Sequence, residues 1–226
     1  MADIEGASVV FDLDGTMVDT APDIIDSVNE ALASLSFSAA PPALILPGVS
    51  RGAEEMLRLG LAFNGVAADP EILTRGIDRF LAHYEANIAV KSAPYPGLRE
   101  VCERLTQAGA KLGVCTNKRH RLASKLLKNL NLDDLFLVVA GRDTFAKSKP
   151  HPSHLLNTIQ ELGGDPRRAV MVGDSDVDIN TAVSANIPII HVSFGYGPLS
   201  SDRRSIAGTI DHFNELELVI REIFYD

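Results

Sequence analysis

The chain has 226 residues, 46% of them hydrophobic, and 30 acidic against 21 basic side chains leave a formal net charge of −9. That size suits one large globular domain or a core with a smaller satellite, and the acidic balance excludes nucleic acid or an anionic membrane as a partner held by whole-molecule attraction. The two cysteines, Cys102 and Cys115, make no disulfide framework and read as small buried hydrophobes; no basic segment followed by a long apolar run opens the sequence, and the run from Ala43 to Leu46 is too short to span a bilayer, so a soluble cytoplasmic protein is expected.

In chain order, Val9-Val10-Phe11 is an apolar run that ends abruptly in Asp12-Leu13-Asp14-Gly15-Thr16. It reads as a central strand of a parallel sheet delivering two carboxylates to a loop, with Gly15 turning the backbone and leaving amides to face an anion. Taken alone, the segment also fits a solvated Asp-Gly turn. Thr20 follows as a helix N-cap, with Ile24, Ile25, Val28, Leu32 and Leu35 at helical spacing, and further helical patterns run from Ala53 to Leu61 and from Glu71 to Ala86. Residues 18–90 contain no strand signal and are expected to form an all-helical insert, leaving 1–17 and 91–226 as the core. From Pro94 the texture alternates: helix 98–108, strand 111–115, helix 121–130, strand 135–140, helix 153–162, strand 169–172, a helix from Asp178, strand 187–192 and a last helix near 215–224. Strands alternating with helices predict an α/β fold, a Rossmann-like doubly wound parallel sheet carrying an inserted all-helical cap.

Ligands bind such sheets at the carboxyl ends of the strands, so the residues that follow each strand matter most. Asp12 and Asp14 follow the first, Thr116-Asn117-Lys118 the next, Lys149-Pro150 lies in the connection after Val138-Val139, and Gly173-Asp174-Ser175-Asp176-Val177-Asp178 follows Val170-Met171-Val172. Converging carboxylates repel one another and an anionic substrate alike, and an oxygen-seeking cation, Mg2+, is the simplest compensation. Lys149 adds a second positive charge, while Thr116 and Asn117 can donate hydrogen bonds to phosphate oxygens. This is the equipment of phosphoryl transfer, in which a carboxylate can attack phosphorus directly. Asp12, straight off the strand, is the better placed nucleophile; Asp14 is placed to exchange a proton with the leaving group and then with water.

Those four segments, in that order, resemble the motifs of the haloacid dehalogenase-like phosphohydrolase superfamily, from Val9 to the Gly195-Tyr196-Gly197 turn. The resemblance implies that Asp12 is nucleophile and magnesium ligand, that Asp14 is acid/base with its backbone carbonyl on the metal, and that Asp174 is a further ligand. It also implies that Thr116 and Lys149 hold the phosphoryl group and that Asp178 supports them from behind. The dehalogenase branch lacks the second aspartate that Asp14 supplies. The helical insert resembles the cap of the phosphoglycolate phosphatase-like group, which implies a small phosphorylated metabolite, 2-phosphoglycolate first, in a monomer or homodimer. Related members act on sugar phosphates, nucleotides or pyrophosphate, and β-phosphoglucomutase shares the scaffold. A phospho-accepting signalling module is the alternative of a different class. Arg51, in Gly48-Val49-Ser50-Arg51-Gly52, is a candidate cap contact for a carboxylate or a second anion, and equally reads as a solvated arginine. Lys118 reads as solvated, His151 and His154 as loop residues flanking Pro152 rather than zinc ligands, and Gly195-Tyr196-Gly197 as a plain turn.

Overall fold

The computed structural model describes residues 4–197, 199 and 203–225. The chain divides into two compact units, Met1–Val18 with Pro94–Asp226, and Asp19–Ala93. Among the described residues the elements run β1 (Ser8–Phe11), β2 (Val18–Asp19), α1 (Ala21–Ser34), α2 (Pro42–Ile45), a 3-10 helix (Leu46–Arg51), α3 (Ala53–Phe63), α4 (Pro70–Ala86), β3 (Ala93–Pro94), α5 (Leu98–Gln107), β4 (Lys111–Cys115) and α6 (His120–Asn129). They continue with β5 (Val138–Ala140), α7 (Pro152–Glu161), β6 (Ala169–Gly173), α8 (Asp176–Ala185), β7 (Ile189–Val192), β8 (Gly208–Ile210) and α9 (Leu216–Ile223).

The first unit is an α/β fold on one six-stranded sheet in the order β5-β4-β1-β6-β7-β8. Every neighbouring pair in it is parallel. All four residues of β1 are buried, as an unbroken apolar strand covered on both faces must be. Val10 lies opposite Gly113 on one side and Met171 on the other. The order of strands reverses at β1: the chain proceeds from there to β4 and β5 in one direction and to β6, β7 and β8 in the other. A crevice therefore opens at the carboxyl ends of β1, β4 and β6.

Two strands are shorter than the sequence suggests. Asp133–Leu135 is a 3-10 turn before β5, and β7 begins only after Pro188, which has no amide to donate and instead accepts from Met171 N at 2.9 Å. The edge strand β8 was not anticipated; three residues with Thr209 exposed carry too little pattern to be read.

In the second unit the apolar stripes of three helices meet: Ile24, Val28 and Leu32 from α1, Met56, Leu57 and Leu61 from α3, and Leu73, Phe80 and Tyr84 from α4 are buried. Gly60 lets α3 close on α1, since a Cβ there would stand 2.8 Å from the Leu32 side chain. Thr20 occupies the N-cap position of α1 but its side chain makes no capping bond; Asp19 Oδ1 accepts from Ala21 N instead, at 3.3 Å. Among the described residues no helix is long and apolar enough to cross a membrane.

Candidate active site

Asp12 continues the line of β1, and its amide donates to Val172 O at 2.9 Å, so its backbone is fixed to β6 before its side chain does anything. The loop then turns tightly: Met17 N and Val18 N both donate to Leu13 O, at 3.0 and 3.1 Å. Gly15 has φ +83°, where a side chain is strained, and a Cβ there would lie 2.6 Å from Asp174 Oδ2. One expectation is corrected here: the Gly15 amide is not left for an anion, because it donates to Val18 O at 2.9 Å.

The end of β6 supplies Asp174 and the start of α8 supplies Asp178, both buried. A capping box sets Asp178: its Oδ2 accepts from Ser175 N at 3.1 Å and Ser175 Oγ at 2.6 Å. Its Oδ1 accepts from Lys149 Nζ at 2.6 Å, and the same ammonium is 2.8 Å from Asp12 Oδ1. Lys149, preceding a cis proline, is thus divided between two carboxylates. Asp174 is held differently, by Thr16 Oγ1 at 2.8 Å on Oδ1 and Tyr196 N at 3.0 Å on Oδ2.

One ligand atom from each of Asp12, Asp174 and Asp178 lies within 4.8 Å of the others, and all three residues are buried. Burial is the largest influence on two of them. It pushes Asp12 up to about 7 against the pull of Lys149, with Asp178 and Asp14 adding to the rise. It pushes Asp174 up to about 8, with Asp178 and then Asp12 contributing. Burial opposes the Lys149 charge too, but Asp12 and Asp178 outweigh it and hold that amine above the ordinary lysine range. Three clustered carboxylates with one ammonium between two of them are short of positive charge, and the donor set is all oxygen. That fits a hard divalent cation, Mg2+ among them.

Of the other expected residues, Thr116 is buried just past β4, its amide donating to Ala140 O at 2.9 Å. Its Oγ1 accepts from Lys118 N at 3.2 Å. Asn117 Nδ2 donates to Lys149 O at 3.0 Å, so one hydrogen of the expected phosphate donor anchors the Lys149 loop. The Asp14 carboxylate stands outside the three-carboxylate cluster. Arg51 lies in the second unit, its side chain 65% exposed and its guanidinium 3.6 Å from Glu55.

Other contributors were missed or misread. Lys118 is not solvated: its side chain is 6% exposed and its Nζ is 2.6 and 2.8 Å from the two Asp14 oxygens. Its place two residues after Thr116 was the available signal. His154 lies not in a loop but in the first turn of α7, fully buried, where Nδ1 accepts from Lys149 N at 3.1 Å and Nε2 faces Gly141 O at 3.1 Å. His151 is the N-cap of that helix. The Gly195-Tyr196 turn supports Asp174, and a Cβ at Gly195 would stand 2.2 Å from the Asp174 Cβ. Thr16 was part of a motif with no role assigned to its hydroxyl.

Residues 9–192 match the family model of the haloacid dehalogenase-like hydrolases. A phosphoglycolate phosphatase of Mesorhizobium japonicum is 42% identical over 214 residues, 95% of this chain and 94% of that protein. One of Caulobacter vibrioides is 43% identical over 194 residues, covering 86% of this chain and 82% of its own. The crystal structure of a predicted phosphoglycolate phosphatase from Haemophilus somnus matches with a TM-score of 0.87 at 26% identity, over 96% of this chain and 98% of that one.

Proposed function

The chain belongs to the haloacid dehalogenase-like hydrolase family and is a phosphatase, and from that premise we propose that it is a cytoplasmic enzyme hydrolysing 2-phosphoglycolate to glycolate and phosphate through an aspartyl-phosphate on Asp12. One observation carries the reaction class: three buried carboxylates have oxygens within 4.8 Å of one another, and a single enclosed lysine pairs with only two of them, Asp12 and Asp178. Such a site is poorly balanced by itself and well balanced by a divalent cation with a phosphoryl group. The substrate is supported by the relatives at 42% and 43% identity, which are phosphoglycolate phosphatases.

In this reading Asp12 and Asp174 offer side-chain oxygens to Mg2+, the Asp14 backbone carbonyl offers a third, and Asp178 stays behind them, both of its oxygens already accepting from Ser175 and Lys149. Magnesium, when bound, neutralises the phosphoryl oxygens and the carboxylates beside them. An Asp12 carboxylate oxygen bonds to phosphorus as the bond from phosphorus to the ester oxygen breaks, and Asp14 gives that oxygen its proton. Asp14 then takes a proton from water, whose oxygen displaces Asp12 from phosphorus and frees phosphate. Lys149 meets the charge that develops on the phosphoryl oxygens, and the Thr116 hydroxyl donates to one of them. Arg51 is given no part in the chemical step.

The test is phosphate release from 2-phosphoglycolate, a sugar phosphate, a nucleoside monophosphate and pyrophosphate, with magnesium or with chelator. Preference for 2-phosphoglycolate, lost on chelation, is the expected result. Preference for another ester overturns the substrate. A phosphoenzyme that persists without turnover points to a phospho-accepting module.

A further inference from the structure

The contact between Lys118 and Asp14 is unlike the one between Lys149 and its carboxylates. Lys149 is enclosed between Asp12 and Asp178, each side chain 5% exposed or less. Lys118 spans the Asp14 carboxylate, 2.6 Å from Oδ1 and 2.8 Å from Oδ2, with 6% and 10% of the two side chains exposed. A carboxylate that exchanges a proton with an ester oxygen must turn an oxygen toward it. Both oxygens of Asp14 face Lys118 instead. The backbone of Lys118 is fixed, its amide donating to Thr116 Oγ1 at 3.2 Å and its carbonyl accepting from Arg142 N at 3.0 Å. Only the four-carbon stem has to swing for the ammonium to change partner.

The partner that suits the exchange is another carboxylate, since an ammonium bonds either with similar strength. In 2-phosphoglycolate the carboxylate is carried by the carbon that also carries the ester oxygen. A group placed where Asp14 reaches the ester oxygen is therefore one carbon from the substrate's carboxylate. Resting on the substrate reading above, we propose that Lys118 is the specificity residue of this phosphatase: it receives the carboxylate of the substrate and, in doing so, releases Asp14 to the ester oxygen. Esters without a carboxylate leave Lys118 on Asp14 and turn over poorly, so the contact selects as well as binds. Lys149 cannot take this part while it bridges Asp12 and Asp178.

The experiment compares 2-phosphoglycolate with ethyl phosphate, which replaces the carboxylate by a methyl group, in the magnesium-loaded wild type and in Lys118→Met. The ratio of the two kcat/KM values is expected to fall on the order of 100-fold in the variant, mainly through KM for 2-phosphoglycolate. Lys118→Arg, which keeps a cation, recovers part of it. Equal losses on both esters would mean that Lys118 only positions Asp14, which overturns the proposal and leaves the substrate reading intact. A wild type that hydrolyses both esters equally well overturns the substrate reading and the receptor with it. Should Lys118→Met fail to fold, Lys118→Gln carries the same comparison.

Discussion

Asp23 in the second unit and Asp12 and Asp174 in the first are equally withdrawn from water, at 2%, 3% and 3% exposure, yet their surroundings differ in kind. Asp23 accepts its hydrogen bonds from neutral donors: Lys91 N at 3.0 Å to both oxygens, Ser92 N at 2.8 Å and Ser92 Oγ at 2.6 Å. These bonds pin the first turn of α1 to the chain just before residue 93. Asp12 and Asp174 have donors too, Lys149 on Asp12 and the Thr16 hydroxyl and Tyr196 amide on Asp174, but each also has the other and Asp178 beside it. A buried carboxylate whose neighbours are donors is structural. Carboxylates crowded together destabilise the fold, the pattern of groups kept for chemistry rather than for stability.

The contrast is broken most directly at Asp12. Asp12→Asn is expected to reduce phosphate release on the order of ten-thousand-fold or more, since the proposed nucleophile is gone, while the thermal midpoint of the metal-free protein rises because one of three repelling charges is removed. A fall in that midpoint would place Asp12 in the same class as Asp23. Lys149→Met leaves Asp12 and Asp178 without their shared cation, and urea titration should record a loss of about 3 to 5 kcal/mol along with activity. Asp23→Ala strands the Lys91 and Ser92 donors; a loss of about 2 to 3 kcal/mol is expected, read by the same titration.

The smallest effect is that of acid on His154. Burial holds this imidazole at about 4, below the 6.5 of an ordinary histidine, with the Lys149 charge adding to the effect. The unfolded chain therefore takes up a proton that the folded chain refuses. The contribution is fully present above pH 6.5 and is lost as the pH falls toward 4. Urea midpoints at pH 7 and pH 5 should converge in His154→Asn relative to wild type.

The strand and its carboxylates at Val9–Thr16 were legible because a buried parallel strand cannot alternate, so the polarity break at Asp12 marks its end. Asp174 and Asp178 were legible for the same reason at the end of β6. Lys118 was not, because a lysine in a polar loop looks the same whether it meets water or a carboxylate 104 residues away. The amide of Tyr196 on Asp174 was invisible as well, for a backbone donor carries no side-chain signature. Gly195 beside it was the trace of that contact, and it read as an ordinary turn residue. His154 was read two ways, inside the helix over 153–162 and as a loop residue beside Pro152; the helix holds, and it takes in Pro152 because proline is at home in the first turn, where its missing amide has no partner to lose.

β1 is paired along its length on both sides, and the Asp12 amide adds one more bond to β6. The sheet's edges, β5 and β8, are paired on one side only. Local opening begins at such edges and leaves the middle closed, so the amides of Phe11 and Asp12 belong to the part of the molecule that exchanges hydrogen with solvent only when the whole fold opens. The proposed nucleophile thus shares the lifetime of the native state itself. Under mild heat or denaturant this enzyme should fail all at once, molecule by molecule, rather than by gradual wear at its active centre.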